Sequence, residues 1–189
     1  MAEKTNERRF HGKPDRLRSE GRLARLEIDR VVALSIEGLR SGRILDIGTG
    51  TGVFAEAFVA KGFSVTGIDV NEALLEAAKE FVPTAEFIQA RAEGLPFGNG
   101  EFDLSFLGHL LHEADDPIKV LSEARRVSKT RVVVLEWPNV QEEFGPPLDH
   151  RLRPEAVLDM VKQVGMTNVE YLRLTHMDLY RMELDSVKP

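Results

Sequence analysis

The stretch LDIGTGTG at residues 45–52 decides how the fold is interpreted. An apolar run ends on Asp46, and glycines follow at alternating positions, at Gly48, Gly50 and Gly52. Glycine permits a tight turn and lets the backbone approach a ligand closely. A carboxylate beside such a turn would repel a diphosphate, whereas it would attract a cationic group. The stretch therefore predicts a strand, a tight turn and a helix, with Asp46 placed for a ligand that carries positive charge.

A dinucleotide site is the main alternative for this turn, and two positions bear on it. The dinucleotide pattern needs its third glycine where Val53 stands here. Asp69 ends the next predicted strand, 21 residues after Gly48, and a carboxylate there can accept both hydroxyls of a ribose. Asp46 could instead cap a loop and Asp69 a helix, but two carboxylates that flank one glycine turn favour a nucleoside ligand.

Strands and helices alternate along most of the chain. Strands are predicted at residues 43–47, 63–69, 85–90, 103–107, 131–137, 168–174 and 177–184. Helices are predicted at residues 14–40, 53–61, 71–81, 117–127 and 154–165, with Asn71 and Asp116 as N-caps of the third and fourth. This alternation predicts a parallel sheet with helices on both faces. The short link Thr175-His176 predicts a hairpin that adds one antiparallel strand at an edge of the sheet.

Length and composition bound the domain organisation and the kinds of site. The chain has 189 residues, 42% of them hydrophobic, and we expect residues 1–189 to form one domain. The absence of cysteine excludes disulfides, thiolate metal ligands and cysteine nucleophiles. No apolar run approaches the roughly 20 residues of a membrane span, and the polar start MAEKTNERRF has no secretory pattern. We therefore expect a cytoplasmic protein without a membrane span.

The charge distribution argues against nucleic acid as a partner. The net charge is −6, although residues 1–30 carry nine Lys/Arg against six Asp/Glu, so the rest of the chain is strongly acidic. Nucleic-acid binding depends on clusters of Lys and Arg that contact phosphates. The basic N-terminal stretch could form a nucleic-acid arm, but its interspersed acidic residues favour a solvated helical segment.

Four stretches together resemble the class I S-adenosylmethionine-dependent methyltransferases, most of all the ubiquinone/menaquinone type with methyltransferase type 11 domains. They are ILDIGTGTG (44–52), VTGIDVNEALLEAA (65–78), ARAEGLPFGNGEFDLSFLGHLLHEADDP (90–117) and LSEARRVSKTRVVVLEW (121–137). The resemblance implies an α/β, Rossmann-like fold whose seven-stranded, mostly parallel sheet has a reversed last strand and helices on both faces. It also implies S-adenosylmethionine as cofactor, S-adenosylhomocysteine as product and a small-molecule methyl acceptor as partner.

The resemblance implies cofactor-binding roles for residues at the ends of the first four strands. The set is Asp46, Gly48, Thr49 and Gly50 for the methionine moiety, Asp69 for the ribose, Val70, Ala92 and Glu93 for the adenine, and Leu107 and Gly108 near the sulfonium. Many relatives have an acidic residue that binds the adenine amino group at the position of Arg91. Either backbone atoms or Glu93 takes over that contact, or Arg91 points away to solvent.

Two histidines in the segment GHLLHEADDP (108–117) are the candidate catalytic residues. His109 and His112 follow the fourth strand at the ligand-binding edge, and histidine titrates near neutrality, as a general base requires. A structural role at this turn is the alternative for both. A metal site that includes Glu113 would lack a third ligand at convincing spacing, so no metal is predicted.

The N-terminal segment is expected to cover the site. In related enzymes the segment before the first strand often folds over the cofactor, so residues 1–41 would form a helical lid on a core of residues 42–189. Phe10 and His11 would be pocket residues, and Arg16 or Arg18 could meet an anionic substrate. The alternative is a solvated, frayed terminus.

The loop that follows the fifth strand is the other expected wall of the acceptor pocket. It contributes Trp137, which could stack on an aromatic acceptor or pack in the core, and His150. An aromatic-lined pocket of mixed polarity is typical of a small-molecule site.

Several functions stay compatible with these residues. The sequence favours an enzyme that transfers a methyl group to a small molecule, and the alternative is a methyltransferase-fold protein that binds S-adenosylmethionine or S-adenosylhomocysteine without catalysis. Asp46 and Val53 disfavour a nicotinamide-dependent oxidoreductase. FLGH replaces the Asn-Pro-Pro-Tyr-like motif of amino-base methyltransferases after the fourth strand, which disfavours nucleic-acid methylation. The terminal hairpin and the helix at residues 14–40 could each support a homodimer.

Overall fold

A seven-stranded sheet forms the centre of the computed structural model, which describes residues 12–184. The strands are β1 (Arg43–Ile47), β2 (Ser64–Asp69), β3 (Glu86–Gln89), β4 (Phe102–Gly108), β5 (Ser128–Glu136), β6 (Asn168–Arg173) and β7 (Asp178–Glu183). Their order across the sheet is β3-β2-β1-β4-β5-β7-β6. The order reverses between β1 and β4, and in open α/β sheets ligands bind beside such a reversal, beyond the carboxyl ends of the strands.

The terminal hairpin is confirmed, but its antiparallel strand does not lie at the edge of the sheet. Strand β7 pairs antiparallel with β5 on one side and with β6 on the other, so β6 is the edge strand. The burial of the two strands explains this placement. Most of β7 is buried, including Leu179, Tyr180 and Met182, whereas every residue of β6 is at least partly exposed. The more apolar strand therefore occupies the interior position.

Seven helices connect or cover the strands of the described chain. They are α1 (Pro14–Leu17), α2 (Glu20–Arg25), α3 (Ile28–Ser35), α4 (Val53–Ala60), α5 (Glu72–Phe81), α6 (Pro117–Val127) and α7 (Pro154–Gln163), and a short 3₁₀ helix spans Leu148–His150. The predicted N-caps of α5 and α6 are confirmed. Asn71 Oδ1 accepts from the backbone N–H of Ala73 at 3.0 Å, and Asp116 Oδ1 accepts from that of Lys119 at 3.0 Å.

The single helix predicted over residues 14–40 is wrong, because three short helices occupy that segment. Glu27 separates the second from the third in a left-handed conformation with φ of 46°. Its carboxylate accepts hydrogen bonds from the backbone N–H of His176 at 2.9 Å and from the Thr175 hydroxyl at 3.0 Å. The break in the helix at Glu27 thus coincides with contacts to the link between β6 and β7, which is far away in the sequence. Local sequence periodicity does not reveal such contacts.

Two apolar layers hold the helices to the sheet, because side chains alternate between its faces along each strand. One face, with Ile44, Leu104, Phe106, Val133 and Leu135, packs against α3 and α4. The other face, with Leu45, Ile47, Leu107, Val132 and Val134, packs against α6 and α7. Phe106 lies at the centre of the first layer, with ring centroids 4.7 Å from Phe54 and 5.3 Å from Phe58.

Truncation of Phe106 tests the aromatic packing that joins α4 to the sheet. We expect Phe106→Ala to lower the free energy of unfolding by about 3–5 kcal/mol, because the substitution removes buried area and leaves a cavity. Phe81→Ala is the matched control, since that side chain is 51% exposed, and it should cost about 1 kcal/mol or less. Urea denaturation measures both, and equal losses would contradict the central role of Phe106.

Candidate functional site

The turn between β1 and α4 is hydrogen-bonded to the end of the neighbouring strand β2. The backbone N–H groups of Gly48 and Thr49 both donate to the carbonyl oxygen of Ile68, at 2.9 and 2.8 Å. Gly48 and Gly50 have φ values of 74° and 55°, in the left-handed region that favours glycine. A Cβ atom on Gly48 would also approach Leu110 to 3.0 Å. The turn thus needs glycine for its conformation as well as for its close packing.

Asp46 is a buried carboxylate at the mouth of this turn, with only 2% of its surface exposed. The Thr49 hydroxyl donates to Asp46 Oδ2 at 2.7 Å. Burial raises the pKa of Asp46 to about 7, and the charge of nearby Asp69 adds to this effect, while the hydrogen bond from Thr49 opposes it. A carboxylate held in this way is stabilised when a cationic group binds beside it.

Asp69 lies at the end of β2 and receives backbone hydrogen bonds on both oxygens. Gly50 N–H donates to Oδ2 at 3.0 Å, and Asn71 N–H donates to Oδ1 at 2.9 Å. Burial raises the pKa of Asp69, although these backbone donors oppose the shift. Each carboxylate oxygen can accept more than one hydrogen bond, so both retain capacity for a diol.

A cavity of about 1180 Å³ lies along the carboxyl ends of the strands and collects most of the predicted site residues. Those that line it are Asp46, Gly48, Thr49, Gly50, Asp69, Val70, Ala92, Glu93, Gly108, His109, His112, Trp137 and His150. Leu107 differs, because its side chain is fully buried in the apolar layer beside α6 and α7. Phe10 and His11 lie outside the described residues.

The cavity wall near the end of β2 has the character of a nucleoside site. Val70 lines the cavity as an apolar side chain that is 42% exposed, so a flat ring placed there would cover it. Arg91 does not line the cavity, and its guanidinium lies 3.2 Å from Asp115 and 3.5 Å from Glu93. Glu93 itself lines the cavity. The group that meets the adenine edge therefore stays a prediction.

His112 and Glu136 form a buried pair at the ends of β4 and β5. His112 Nδ1 lies 2.7 Å from Glu136 Oε2, and Glu136 Oε1 also accepts from the backbone N–H of Leu111 at 2.8 Å. A carboxylate only accepts, so Nδ1 carries the proton and Nε2 of neutral His112 is the basic atom. Burial acts to lower the pKa of His112, but the charge and hydrogen bond of Glu136, together with the charge of Glu113, outweigh burial and raise it.

His109 has a different environment, although it also lines the cavity. Its ring packs on Trp137 with centroids 5.0 Å apart, and its Nε2 lies 3.1 Å from the sulfur of Met177. Burial lowers the pKa of His109 well below its ordinary value, and the nearby charges of Arg22 and His112 act in the same direction. His109 is therefore a neutral, packed side chain, and its backbone is left-handed with φ of 59°.

The loop between β5 and α7 is held by one arginine. The guanidinium of Arg151 is hydrogen-bonded to the carbonyl oxygens of Pro146 at 2.9 Å and Val140 at 2.8 Å, and also to that of Phe144. These bonds fold the loop over the cavity and place Phe144 and His150 along its wall. No sequence pattern indicates this role of Arg151, because the loop has no periodicity.

The N-terminal helices close the cavity on the side of the glycine turn. Arg18 donates to the carbonyl oxygen of Thr51 at 2.8 Å and forms an ion pair with Glu56 at 2.7 Å. Arg18 therefore anchors the N-terminal segment and does not reach into the cavity, contrary to one sequence-based expectation. Arg16, the other arginine of that expectation, does line the cavity, and so do Arg22 and Arg25 of α2, whose positions sequence reasoning did not single out.

Among residues 12–184, no helix is long and apolar enough to cross a membrane. Within the same range, no group of three or more His, Asp or Glu side chains is arranged to hold a metal ion.

Comparisons with known proteins agree with this architecture. The profile of a family described as "Methyltransferase domain" matches residues 45–135. A demethylmenaquinone methyltransferase from Renibacterium salmoninarum is 31% identical over 119 residues, which cover 62% of this chain and 49% of that protein. One from Thermotoga maritima is 36% identical over 122 residues, covering 61% of this chain and 53% of that protein. The chain thus spans about half the length of these curated relatives.

A solved structure extends the likeness of fold to nearly the whole chain. The crystal structure of a SAM-dependent methyltransferase from Aquifex aeolicus superposes with a TM-score of 0.77 at 21% identity, covering 91% of this chain and 98% of that one. The profile match covers β1 to β5 and both aspartates of the cavity. Residues 45–135 thus resemble a methyltransferase domain, in agreement with the resemblance inferred from the sequence, and the chain shares the fold of this solved structure.

Proposed function

We propose that the protein is an S-adenosylmethionine-dependent methyltransferase that acts on a small-molecule acceptor. The observation that carries this proposal is the placement of Asp46 and Asp69 on one cavity, on either side of a left-handed glycine turn. Burial raises the pKa of both carboxylates. Two such groups disfavour a diphosphate, and together they suit a ligand that has both a cationic group and a ribose diol.

The residues of the cavity suggest how the cofactor is held. The Asp46 carboxylate would pair with the amino group of the methionine moiety, and Asp69 would accept from the ribose hydroxyls. Val70 and Ala92 would contact the adenine faces, with Glu93 at its edge. The small residue Gly108, at the end of β4, would let the sulfonium approach the acceptor side of the cavity. We further propose that helices α1 and α2 form a lid and belong to the same domain as the sheet.

The acceptor would lie at the other end of the cavity, where His109, His112, Trp137 and His150 meet. The bound cofactor supplies an activated methyl group that an acceptor atom attacks in line. The protein must therefore align the acceptor, exclude water and, for a protonated acceptor, remove a proton. His112 is the proposed base, because its Nδ1 is fixed by Glu136, its Nε2 lies 3.7 Å from Glu113 Oε1, and the residue lines the cavity. His109 would pack against the acceptor without taking its proton.

The names of the relatives support an acceptor of small size. Those from Renibacterium and Thermotoga are called demethylmenaquinone methyltransferases. We propose only that this chain shares the class of acceptor, a small molecule. A homodimer and a cytoplasmic location stay predictions.

Titration with the cofactor product tests the assignment of the two aspartates. We expect S-adenosylhomocysteine to bind wild-type protein, and Asp46→Asn and Asp69→Asn each to weaken binding about 10- to 100-fold, because each removes a hydrogen bond that involves a charged group. Isothermal titration calorimetry measures the affinities. Asp159→Asn, at an exposed position on α7, is the matched control and should bind as the wild type does.

Two outcomes of this titration would contradict the proposal. Folded wild-type protein that binds neither S-adenosylmethionine nor S-adenosylhomocysteine would reject the cofactor site. Binding that survives both substitutions unchanged would reject the roles given to Asp46 and Asp69. Binding without turnover of any acceptor would leave the non-catalytic alternative as the better description.

The raised pKa of Asp46 predicts a dependence of stability on pH. Asp46 ionises near pH 4 in the unfolded chain, whereas its pKa in the folded protein is about 7. The folded state holds the extra proton between these values, so the free energy of unfolding falls as pH rises from about 4 to 7. Above this range the ionised carboxylate gains most from a bound ammonium group. We therefore expect S-adenosylhomocysteine to raise the melting temperature more at pH 8 than at pH 6.

Asp46→Asn supplies the reference for this pH dependence. Subtracting the variant's stability curve from that of the wild type removes the contribution of all other titrating groups. The difference should decline between about pH 4 and pH 7, where the two pKa values of Asp46 lie. A difference that stays flat over this window, measured by thermal unfolding, would show that Asp46 is not the buried acid.

The His112–Glu136 pair predicts a titration that NMR can follow. In wild-type protein the pKa of His112 should exceed its ordinary value, and in Glu136→Gln it should fall below that value, because burial remains while the favourable charge is lost. Glu143→Gln, at an exposed position on the loop, should leave the titration unchanged. With any acceptor that is turned over, His112→Gln should lower kcat by about 10²–10⁴-fold. An unshifted His112 or an undiminished kcat would remove it as the base.

A further inference from the structure

We propose that the methyl acceptor carries an anionic group of the carboxylate type, and that the guanidinium of Arg22 binds this group inside the cavity. The inference rests on the proposed function and names the chemical class of acceptor for the same site. It is carried by the position of Arg22, by its incomplete hydrogen bonding and by the different use of the neighbouring arginines.

Arg22 places a cation at the acceptor end of the cavity. It lies on α2, and its guanidinium carbon is 6.0 Å from the centroid of the Trp137 ring. Its Nε atom is buried and has no hydrogen-bond partner. Arginine stays protonated even when partly buried. A buried guanidinium that lacks a hydrogen bond costs free energy, and an anion with planar, paired oxygen atoms would remove that cost.

The other arginines around the cavity either have partners or are exposed to solvent. Arg18 is bonded to the Thr51 carbonyl and to Glu56, and Arg151 is bonded to carbonyl oxygens of its own loop. The guanidinium of Arg25 lies 3.8 Å from the centroid of the Phe144 ring. Arg16 lines the cavity but is exposed to solvent. Arg22 is thus the best placed of these five to recognise an anion away from water.

The charges around Arg22 also favour an anionic guest over a cationic one. The charge of Arg22 acts to lower the pKa of His109 and also that of His112, although other groups raise the pKa of His112 overall. The charge of Arg22 therefore lies near the proposed base. A cationic acceptor there would meet Arg22 as well as any protonated His112. Glu113 is the carboxylate whose charge acts on Arg22, and its Oε1 also lies 3.7 Å from His112 Nε2. Glu113 is thus the carboxylate with which an acceptor anion would compete for Arg22.

A matched pair of simple probes tests the inference without knowledge of the natural acceptor. Benzoate and benzamide have nearly the same shape, and only benzoate is an anion. We expect protein saturated with S-adenosylhomocysteine to bind benzoate at least about tenfold more tightly than benzamide, because one hydrogen bond becomes charge-assisted. NMR titration of the indole N–H of Trp137 locates the binding, since the chain has one tryptophan. Equal affinities for the two probes, or no binding of benzoate, would overturn the inference.

Substitutions assign the preference to Arg22. Arg22→Gln should reduce the ratio of benzamide to benzoate dissociation constants to about one. Arg30→Gln is the control, because Arg30 is exposed on α3 and pairs with Glu27 outside the cavity; it should keep the wild-type ratio. Glu113→Gln should strengthen benzoate binding, since it removes the competing carboxylate. A ratio that survives in Arg22→Gln would show that another group recognises the anion.

Two further measurements keep the outcome decisive. If Arg22→Gln does not fold, Arg22→Lys retains the charge and loses the planar pair of donors, so benzoate should bind several-fold more weakly than to wild type. Unchanged benzoate affinity in Arg22→Lys would overturn the assignment. Failure of wild-type protein to bind S-adenosylhomocysteine would contradict the proposed function itself, whereas normal cofactor binding with no preference for benzoate would contradict only this inference.

Discussion

One carbonyl oxygen joins the two strands on which the site depends. Ile68 O accepts from the backbone N–H of both Gly48 and Thr49, at 2.9 and 2.8 Å, so the turn after β1 is fixed to the end of β2. This bond pair brings Asp46 and Asp69 to one cavity, where burial and mutual repulsion raise the pKa of Asp46. A turn with side chains at its left-handed positions would be strained, and the two carboxylates would not be held in this relation.

Buried carboxylates are costly, and each of those at the sheet edge is compensated by a specific set of donors. Glu136 shows how such a group shapes the backbone around it. It accepts from the N–H of Leu111 and from the ring of His112, so one side chain on β5 fixes the segment that follows β4. The left-handed residue His109 begins this segment. The catalytic proposal for His112 therefore depends on a residue 24 positions away in sequence.

Arginines hold the covering segments in place by bonding to backbone carbonyl groups. Arg18 secures the N-terminal helices to Thr51, Arg151 folds the loop after β5, and Arg131 donates to the carbonyl oxygens of Ser35, at the end of α3, and of Glu37 just after it. Such bonds satisfy carbonyl groups that lie outside regular secondary structure. Arg22 differs from these three, because its Nε lacks an acceptor and its guanidinium lines the cavity. That contrast is the reason to connect it with a ligand.

Local patterns of polarity and backbone freedom are enough to predict the alternating fold, the glycine turn and the placement of Asp46 and Asp69. They also locate His112, since residues at strand ends share one edge of a parallel sheet. Three features could be read only from the folded chain: β7 lies inside the sheet, Glu27 breaks the N-terminal helix, and Arg22 lines the cavity. Each of these depends on contacts between segments far apart in the chain, whose energies no local pattern encodes.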